Sequence, residues 1–422
     1  MMIAVRLICF LCASLLLFPI ANSAGSDPDG WTSFRGGIDN DGTSYSDPFS
    51  QGSYPGINWQ VNLGGPVTSS VSVHQGMVAA ASEGGKVHLL DGVDGSHLWN
   101  RSLDSEVYST PCFDPENRAL VVLTDNGKAY SLSLDDGGTV WSWSSASGSS
   151  LRSSPQIFEG RIYFGSYDSN VYCLDAGNGS LIWSGPGCGD RVHTTGGFYR
   201  DTVMFGSCSG SLKAFDTEEG EVVWTFTDSY IPSSPAVSDG RVHFGSYDEN
   251  IYCLDADTGE VVWNTTLDGE IYSSPAVDKD HVVVGSNRGS LYCLDPSGGE
   301  IMWTRTFGRE PLESSPAIAG PNVIVTGPQG LEVLSLSNGS VIASLELGSC
   351  GESSPAVANS TAYYGDQLGY LRSVGFGSDG KDGDDETDDD EKTDRVHIII
   401  ALVISVLVLI IIGILFKKRR QS

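Results

Sequence analysis

Short apolar runs alternate with breaks rich in Gly, Asp, Asn and Ser through most of this chain, and the alternation itself repeats. In the best-formed copy Ser233-Ser234-Pro235-Ala236-Val237 is followed by Arg241-Val242-His243-Phe244-Gly245-Ser246. Next come Asn250-Ile251-Tyr252-Cys253-Leu254-Asp255 and Thr258-Gly259-Glu260-Val261-Val262-Trp263. Runs rich in Val, Ile, Tyr and Phe, each bounded by turn residues, predict strands joined by hairpins, with no room for a helix. Tryptophan marks the fourth run: Trp59, Trp99, Trp141, Trp183, Trp224, Trp263 and Trp303 follow one another at intervals of 40, 42, 42, 41, 39 and 40. Four strands in about 41 residues make one blade of a β-propeller. The Ser-Ser-Pro element, or a degenerate form of it, begins at Ser69, Ser109, Ser153, Thr194, Ser233, Ser273, Ser314 and Ser353. The pattern predicts an all-β fold, an eight-bladed β-propeller of four-stranded antiparallel blades.

The phase of the repeat predicts how the ring closes. The copy starting at Ser353 stops without its Trp-bearing run, whereas the first such run, residues 57–61, precedes every Ser-Ser start. The N-terminal strand is therefore expected to complete the last blade, which removes open sheet edges. The seven tryptophans are read as structural docking residues, each burying ~150–250 Å². Ala343 stands where an eighth is due, and the contact beside that blade is expected to be the weakest. The Asp ahead of each tight turn (Asp175, Asp216, Asp255, Asp295) is read as an acceptor for local backbone N–H groups.

The ends of the chain change the picture. Residues 1–23 carry a short basic start, an apolar run and a small-residue site, the layout of a secretory signal peptide. Residues 396–416 are almost wholly aliphatic, long enough for one transmembrane helix. Lys417-Lys418-Arg419-Arg420 follows at once, and such a basic cluster stays on the cytoplasmic side. The propeller, residues 24–375, is thus expected outside the cell membrane, with residues 417–422 as a short cytoplasmic tail. Between propeller and span, residues 376–395 are acidic and almost without apolar side chains to bury, so a disordered stalk is expected.

Charge and cysteine content narrow the function. With 53 acidic against 24 basic residues the formal charge is -29, which argues against nucleic acid as a partner. Of nine cysteines, two lie in the signal segment and seven remain, an odd number. Cys173, Cys253 and Cys293 share one repeat phase and are read as buried small apolar residues. Cys188 and Cys208 are the candidate disulfide. Asn100, Asn178, Asn264, Asn338 and Asn359 begin N-x-Ser/Thr sequons, acceptors for glycosylation in a secreted chain.

The run Cys253-Leu254-Asp255-Ala256-Asp257-Thr258-Gly259-Glu260-Val261-Val262-Trp263 resembles the tryptophan-docking repeat of the pyrroloquinoline quinone (PQQ) propellers. The opening Trp31-Thr32-Ser33-Phe34-Arg35-Gly36-Gly37, with Asn40 and Gly42, looks like the N-terminal motif of that superfamily. The similarity covers residues 31–374. It implies the fold and two functional branches: quinoprotein dehydrogenases holding PQQ and calcium in the central funnel, and non-catalytic protein-binding propellers of the BamB-like branch. The dehydrogenases carry adjacent cysteines over the cofactor and long loops between strands. This chain has no adjacent cysteines and nearly constant spacing, so it is placed with the second branch.

Scaffold residues recur because every blade poses the same packing problem, so positions that refuse to repeat are candidates for function. The residue ahead of each Ser-Ser pair runs Thr68, Tyr108, Arg152, His193, Pro232, Tyr272, Glu313, Glu352. This position heads the innermost strand, so the eight are expected to ring the mouth of the central channel. Aromatic and charged groups converging on a concavity suit a peptide or small ligand. No nucleophile elbow, zinc-ligand spacing or phosphate loop is present, and no catalytic, cofactor or metal residue is assigned. The reading is a membrane-anchored extracellular propeller that recognises a protein or peptide without catalysis or cofactor. The alternatives are a PQQ/calcium-dependent surface oxidoreductase and a glycan or cell-wall binder.

Overall fold

A computed structural model of the protein describes residues 30–44, 54–327, 329–347 and 353–377. The expected signal peptide, transmembrane span and tail, and the stalk from residue 378 on, lie outside the described residues. Phe376 and Gly377, expected in the stalk, instead extend the strand Tyr370–Gly377, where Phe376 packs on the core. No helix among the described residues is long and apolar enough to cross a membrane.

Eight antiparallel sheets of four strands follow one another around a ring, the seventh carrying one short additional strand. Blade 5 is typical, with strands Ala236–Ser238, Arg241–Gly245, Asn250–Asp255 and Val261–Thr266 counted from the centre outward. Its second and third strands are buried almost end to end because both faces meet neighbouring blades. The fourth strand is exposed except at Trp263, where a bulge in the ladder turns the indole inward. In blade 8 the N-terminal strand Tyr54–Asn62 pairs antiparallel with Tyr370–Gly377, so the ring closes as the phase predicted.

The tryptophans dock between blades. Each indole N–H donates to a carbonyl in the third-to-fourth-strand turn of the next blade, from Trp59 to Gly92 through Trp303 to Leu336, over 2.7–3.1 Å. Under each ring lies a glycine of that turn. Gly259, with φ +72°, leaves no room for a Cβ, which would sit 2.6 Å from the Trp224 ring. Ala343 occupies the eighth docking position in blade 7. The adjoining blade 8 takes its third and fourth strands from opposite ends of the chain. No turn joins them, so among the described residues the carbonyl and glycine that receive the other indoles have no counterpart there. That junction is filled instead by a cluster including Leu331, Val333, Ala343, Val357 and Tyr364.

The Ser-Ser-Pro elements form a hoop around the channel. Backbone N–H groups of Thr110, Ser154, Thr195, Ser234, Ser274 and Ser315 each donate to the hydroxyl of the equivalent residue one blade on, ending at Ser354, over 2.9–3.3 Å. Asp175, Asp216, Asp255 and Asp295 accept from backbone N–H groups of their own turns at 2.7–3.1 Å, as read from sequence.

Inside the hoop lies the N-terminal segment. Trp31 exchanges two backbone bonds with Val73 of blade 1. The carbonyls of Thr32, Ile38, Asp39, Asp41 and Gly42 then accept from Phe113, Phe198, Val237, Val277 and Ile318, which are first-strand residues of blades 2, 4, 5, 6 and 7. Blade 3 joins through Gln156, whose amide donates to Asn40 Oδ1 at 2.6 Å. The segment ends as a short strand, Thr43–Ser44, parallel to Ala317–Ala319. Arg35 is 1% exposed and donates to the Pro275 and Pro316 carbonyls. Asn40 donates to those of Thr195, Gly196 and Pro235. The segment thus satisfies the polar groups that the blades turn toward the axis, and it fills the channel.

Candidate binding site at the channel mouth

The candidate ring residues lie about five residues before the first-strand positions that hold the N-terminal segment, ~16 Å of extended chain. They therefore head the innermost strands at the end opposite the turns that carry the docking glycines. Each blade adds a second residue at the hairpin between its second and third strands. A recurring bond fixes the two loops together: the N–H groups of Glu83, Asp125, Tyr167, Cys208, Tyr247 and Asn287 donate to the carbonyls of Pro66, Glu106, Ser150, Arg191, Tyr230 and Glu270, two residues ahead of the ring position.

From blade 2 to blade 6 these side chains make a continuous arc. The Arg152 guanidinium stacks 4.0 Å over Tyr108 and 5.6 Å from the centroid of Tyr167. Asp125 clasps it at 2.8 Å. Arg191 meets Tyr167 from the other side at 5.5 Å. His193 lies 3.6 Å from Cys208 Sγ through Nδ1 and 3.2 Å from the Tyr230 hydroxyl through Nε2. Tyr230, Tyr247 and Tyr272 complete the arc, with centroids 5.9–6.4 Å apart.

The remaining ring positions add no aromatic ring to it. Thr68 donates to Glu83 at 3.0 Å. Pro232 is buried and offers no side chain to the mouth, whereas Glu313 is exposed beside Tyr272. Glu352 lies outside the described residues. Sequence comparison missed Asp125, Tyr167, Arg191, Tyr230 and Tyr247. The signal was present, because Tyr167, Cys208 and Tyr247 share one repeat phase after Gly-Ser, and Arg191 and Tyr230 share another.

The predicted Cys188–Cys208 disulfide is not formed; both are free thiols. Cys188 is buried in the apolar cluster between blades 3 and 4, whereas Cys208 turns to His193 at the mouth. Burial, ahead of all other causes, pushes the Cys208 thiol up and lowers His193 to about 4. Both stay neutral near neutral pH, so they do not form the thiolate–imidazolium pair a nucleophile needs. All five sequon asparagines are exposed. Asn100 and Asn264 sit on outermost strands, and Asn178, Asn338 and Asn359 occupy turns away from the ring.

A quinone cofactor with three carboxylates and a calcium ion needs a slot on the axis, cations for the carboxylates and a set of oxygen ligands for the metal. Here the channel is filled by Arg35, Asn40, Gln156 and the backbone around them, and Arg152 is already clasped by Asp125. Among the described residues no three His, Cys, Asp or Glu side chains converge to hold a metal. These residues do not fit the cofactor.

Residues 56–204 and 208–384 match the family described as outer membrane protein assembly factor BamB. A tetrathionate hydrolase of Acidithiobacillus ferrooxidans is 27% identical over 158 residues, 33% of this chain and 30% of the hydrolase. The chain thus spans under a third of the length of that curated relative. Among solved structures, BamB from Moraxella catarrhalis matches with a TM-score of 0.66 at 19% identity, over 78% of this chain and 99% of that one. Quinohemoprotein alcohol dehydrogenase from Comamonas testosteroni matches with a TM-score of 0.73 at 12% identity, over 86% and 83%. At these identities the two structures show the shared fold alone.

Proposed function

Since the chain belongs to the outer membrane protein assembly factor BamB family, we propose that it is a non-catalytic scaffold that captures a protein partner at the channel mouth. The observation that carries this reading is the arc from Tyr108 to Tyr272, where tyrosines and two arginines meet at a concavity whose channel is filled. Tyr and Arg are the side chains that most often anchor protein interfaces. They stand here on loops held blade to blade, so little ordering is needed on binding. The same proposal places the propeller outside the cell, tethered through residues 396–416, with the stalk at residues 378–395 as spacer. The five exposed sequons support it, because none lies at the mouth.

The test is replacement of Tyr108, Arg152 and Tyr272 together, followed by cross-linking on intact cells. Partner capture is expected to vanish while the melting temperature changes little; capture at the unaltered level sinks the proposal. Titration of the purified protein with PQQ and calcium is expected to show no binding. Tight one-to-one binding there would restore the oxidoreductase reading.

A further inference from the structure

The mouth contains one filled cation clasp and one of similar composition without a cation. At blades 2 and 3 two tyrosines, Tyr108 and Tyr167, and one carboxylate, Asp125, surround the guanidinium of Arg152. At blades 5 and 6 three tyrosines form a corner. The Tyr272 ring stands at 80° to Tyr230 and 82° to Tyr247, which are themselves inclined at 37°. Carboxylates accompany this corner as well. Glu270 stands two residues ahead of Tyr272 and Glu313 is the next ring residue; burial first, then Tyr247, then these two carboxylates push the Tyr272 hydroxyl up. Of the arginines nearby, Arg191 lies over Tyr167 and Arg288 reaches Glu249 at 4.0 Å. Tyr247 is 45% exposed, so the corner opens to solvent.

The geometry points to this corner, Tyr230, Tyr247 and Tyr272 with Glu270 and Glu313, as a pocket for an arginine or lysine side chain of a partner protein. Tyrosine faces present negative charge to a cation, and the attraction grows as water is excluded. The two carboxylates supply counter-charge, and a chain carrying -29 steers basic partners toward itself. A neutral glycan would stack on the tyrosines equally well but would leave the charges of Glu270 and Glu313 unbalanced, since Glu270 meets only the neutral amide of Asn287.

This inference rests on the scaffold reading, and its test separates the two. The full chain in mild detergent is titrated calorimetrically with acetyl-Gly-Arg-Arg-Gly-amide and with the same peptide bearing citrulline, which keeps the shape and removes the charge. The arginine peptide is expected to bind at least about 10-fold more tightly, weakening with salt. Tyr247→Leu and Glu313→Gln, both at exposed positions, are each expected to weaken it about 3- to 10-fold. Asp135→Asn, an exposed carboxylate on a turn at the end opposite the mouth, is the control expected to leave it unchanged. Equal binding of the two peptides, indifference to Tyr247→Leu, or binding of neutral oligosaccharides alone overturns the inference. If partner capture on cells persists in any of those cases, the scaffold reading survives without it.

Discussion

Gly259→Ala tests the packing that holds one blade to the next. Two costs are superimposed at this position. An alanine at φ +72° is strained by ~1–2 kcal/mol. Its Cβ would also lie 2.6, 2.7 and 3.1 Å from three atoms of the Trp224 ring. That indole is 8% exposed and bonded to the Ala256 carbonyl at 3.0 Å. Moving it from a packed site costs a further ~1–3 kcal/mol, with ~1 kcal/mol more if the hydrogen bond breaks. The total expected is about 2–5 kcal/mol, rising to about 6 kcal/mol if the hydrogen bond is lost. Gly160→Ala supplies the control, because its φ is +71° but nothing lies within 4 Å of the added Cβ. Only the backbone cost, ~1–2 kcal/mol, should appear there. Urea unfolding followed by tryptophan fluorescence measures both. In a Trp224→Ala background the excess cost of Gly259→Ala should disappear, since the two residues are in contact. If Gly259→Ala costs no more than Gly160→Ala in the wild-type background, the indole is not docked as tightly as described and the argument fails.

Other expectations follow from the same structure. Arg35→Met should destabilise by ~3–5 kcal/mol, because it strands the Pro275 and Pro316 carbonyls in a dry site; wild-type stability and an unchanged proteolysis pattern would contradict this. Ala343→Trp should destabilise by ~1–3 kcal/mol through overpacking, as no turn is there to receive the ring, and a raised melting temperature would show that a dock exists after all. Burial, followed by Arg241, depresses His243 to about 3, below its unfolded value near 6.5. Its stabilising effect is therefore lost as pH falls from about 6.5 toward 3, and His243→Phe should flatten the acid limb of a melting curve series. Asp41 has the opposite sign. Burial first, then Asp39, raises it to about 7, so stability is lost as pH rises from about 3.8 to 7. Asp41→Asn should then raise the melting temperature at pH 8 and leave it nearly unchanged at pH 4.

The blades were legible because one packing problem is written eight times. A Trp, a turn Gly and a Ser-Ser-Pro recurring at near-constant spacing identify strands, ring size and closure together. The radial position of the candidate ring was legible for the same reason. Which ring residues touch was not. Pro232 is buried while Tyr247, from another loop, completes the corner beside Tyr272, and a one-dimensional comparison of a single phase holds no record of that. The role of the opening motif was hidden for a different reason. Arg35 meets Pro316 across 281 residues, and a segment present once has no second copy to reveal its partners. The Cys188–Cys208 pairing failed because proximity of two loops in a blade says nothing about which way each thiol turns.

The segment that fills the channel is made before any blade, yet its hydrogen-bond partners lie in seven of the eight. During synthesis Trp31 through Ser44 must wait, unplaced, until Ile318 and the strand around it exist. A ring short by one blade would have a narrower bore and one backbone N–H donor too few. The segment can therefore make its full set of bonds only when blades 1 to 7 have all assembled. A fault at blade 6 or 7 would leave the buried Arg35 guanidinium without the Pro275 or Pro316 carbonyl that it donates to.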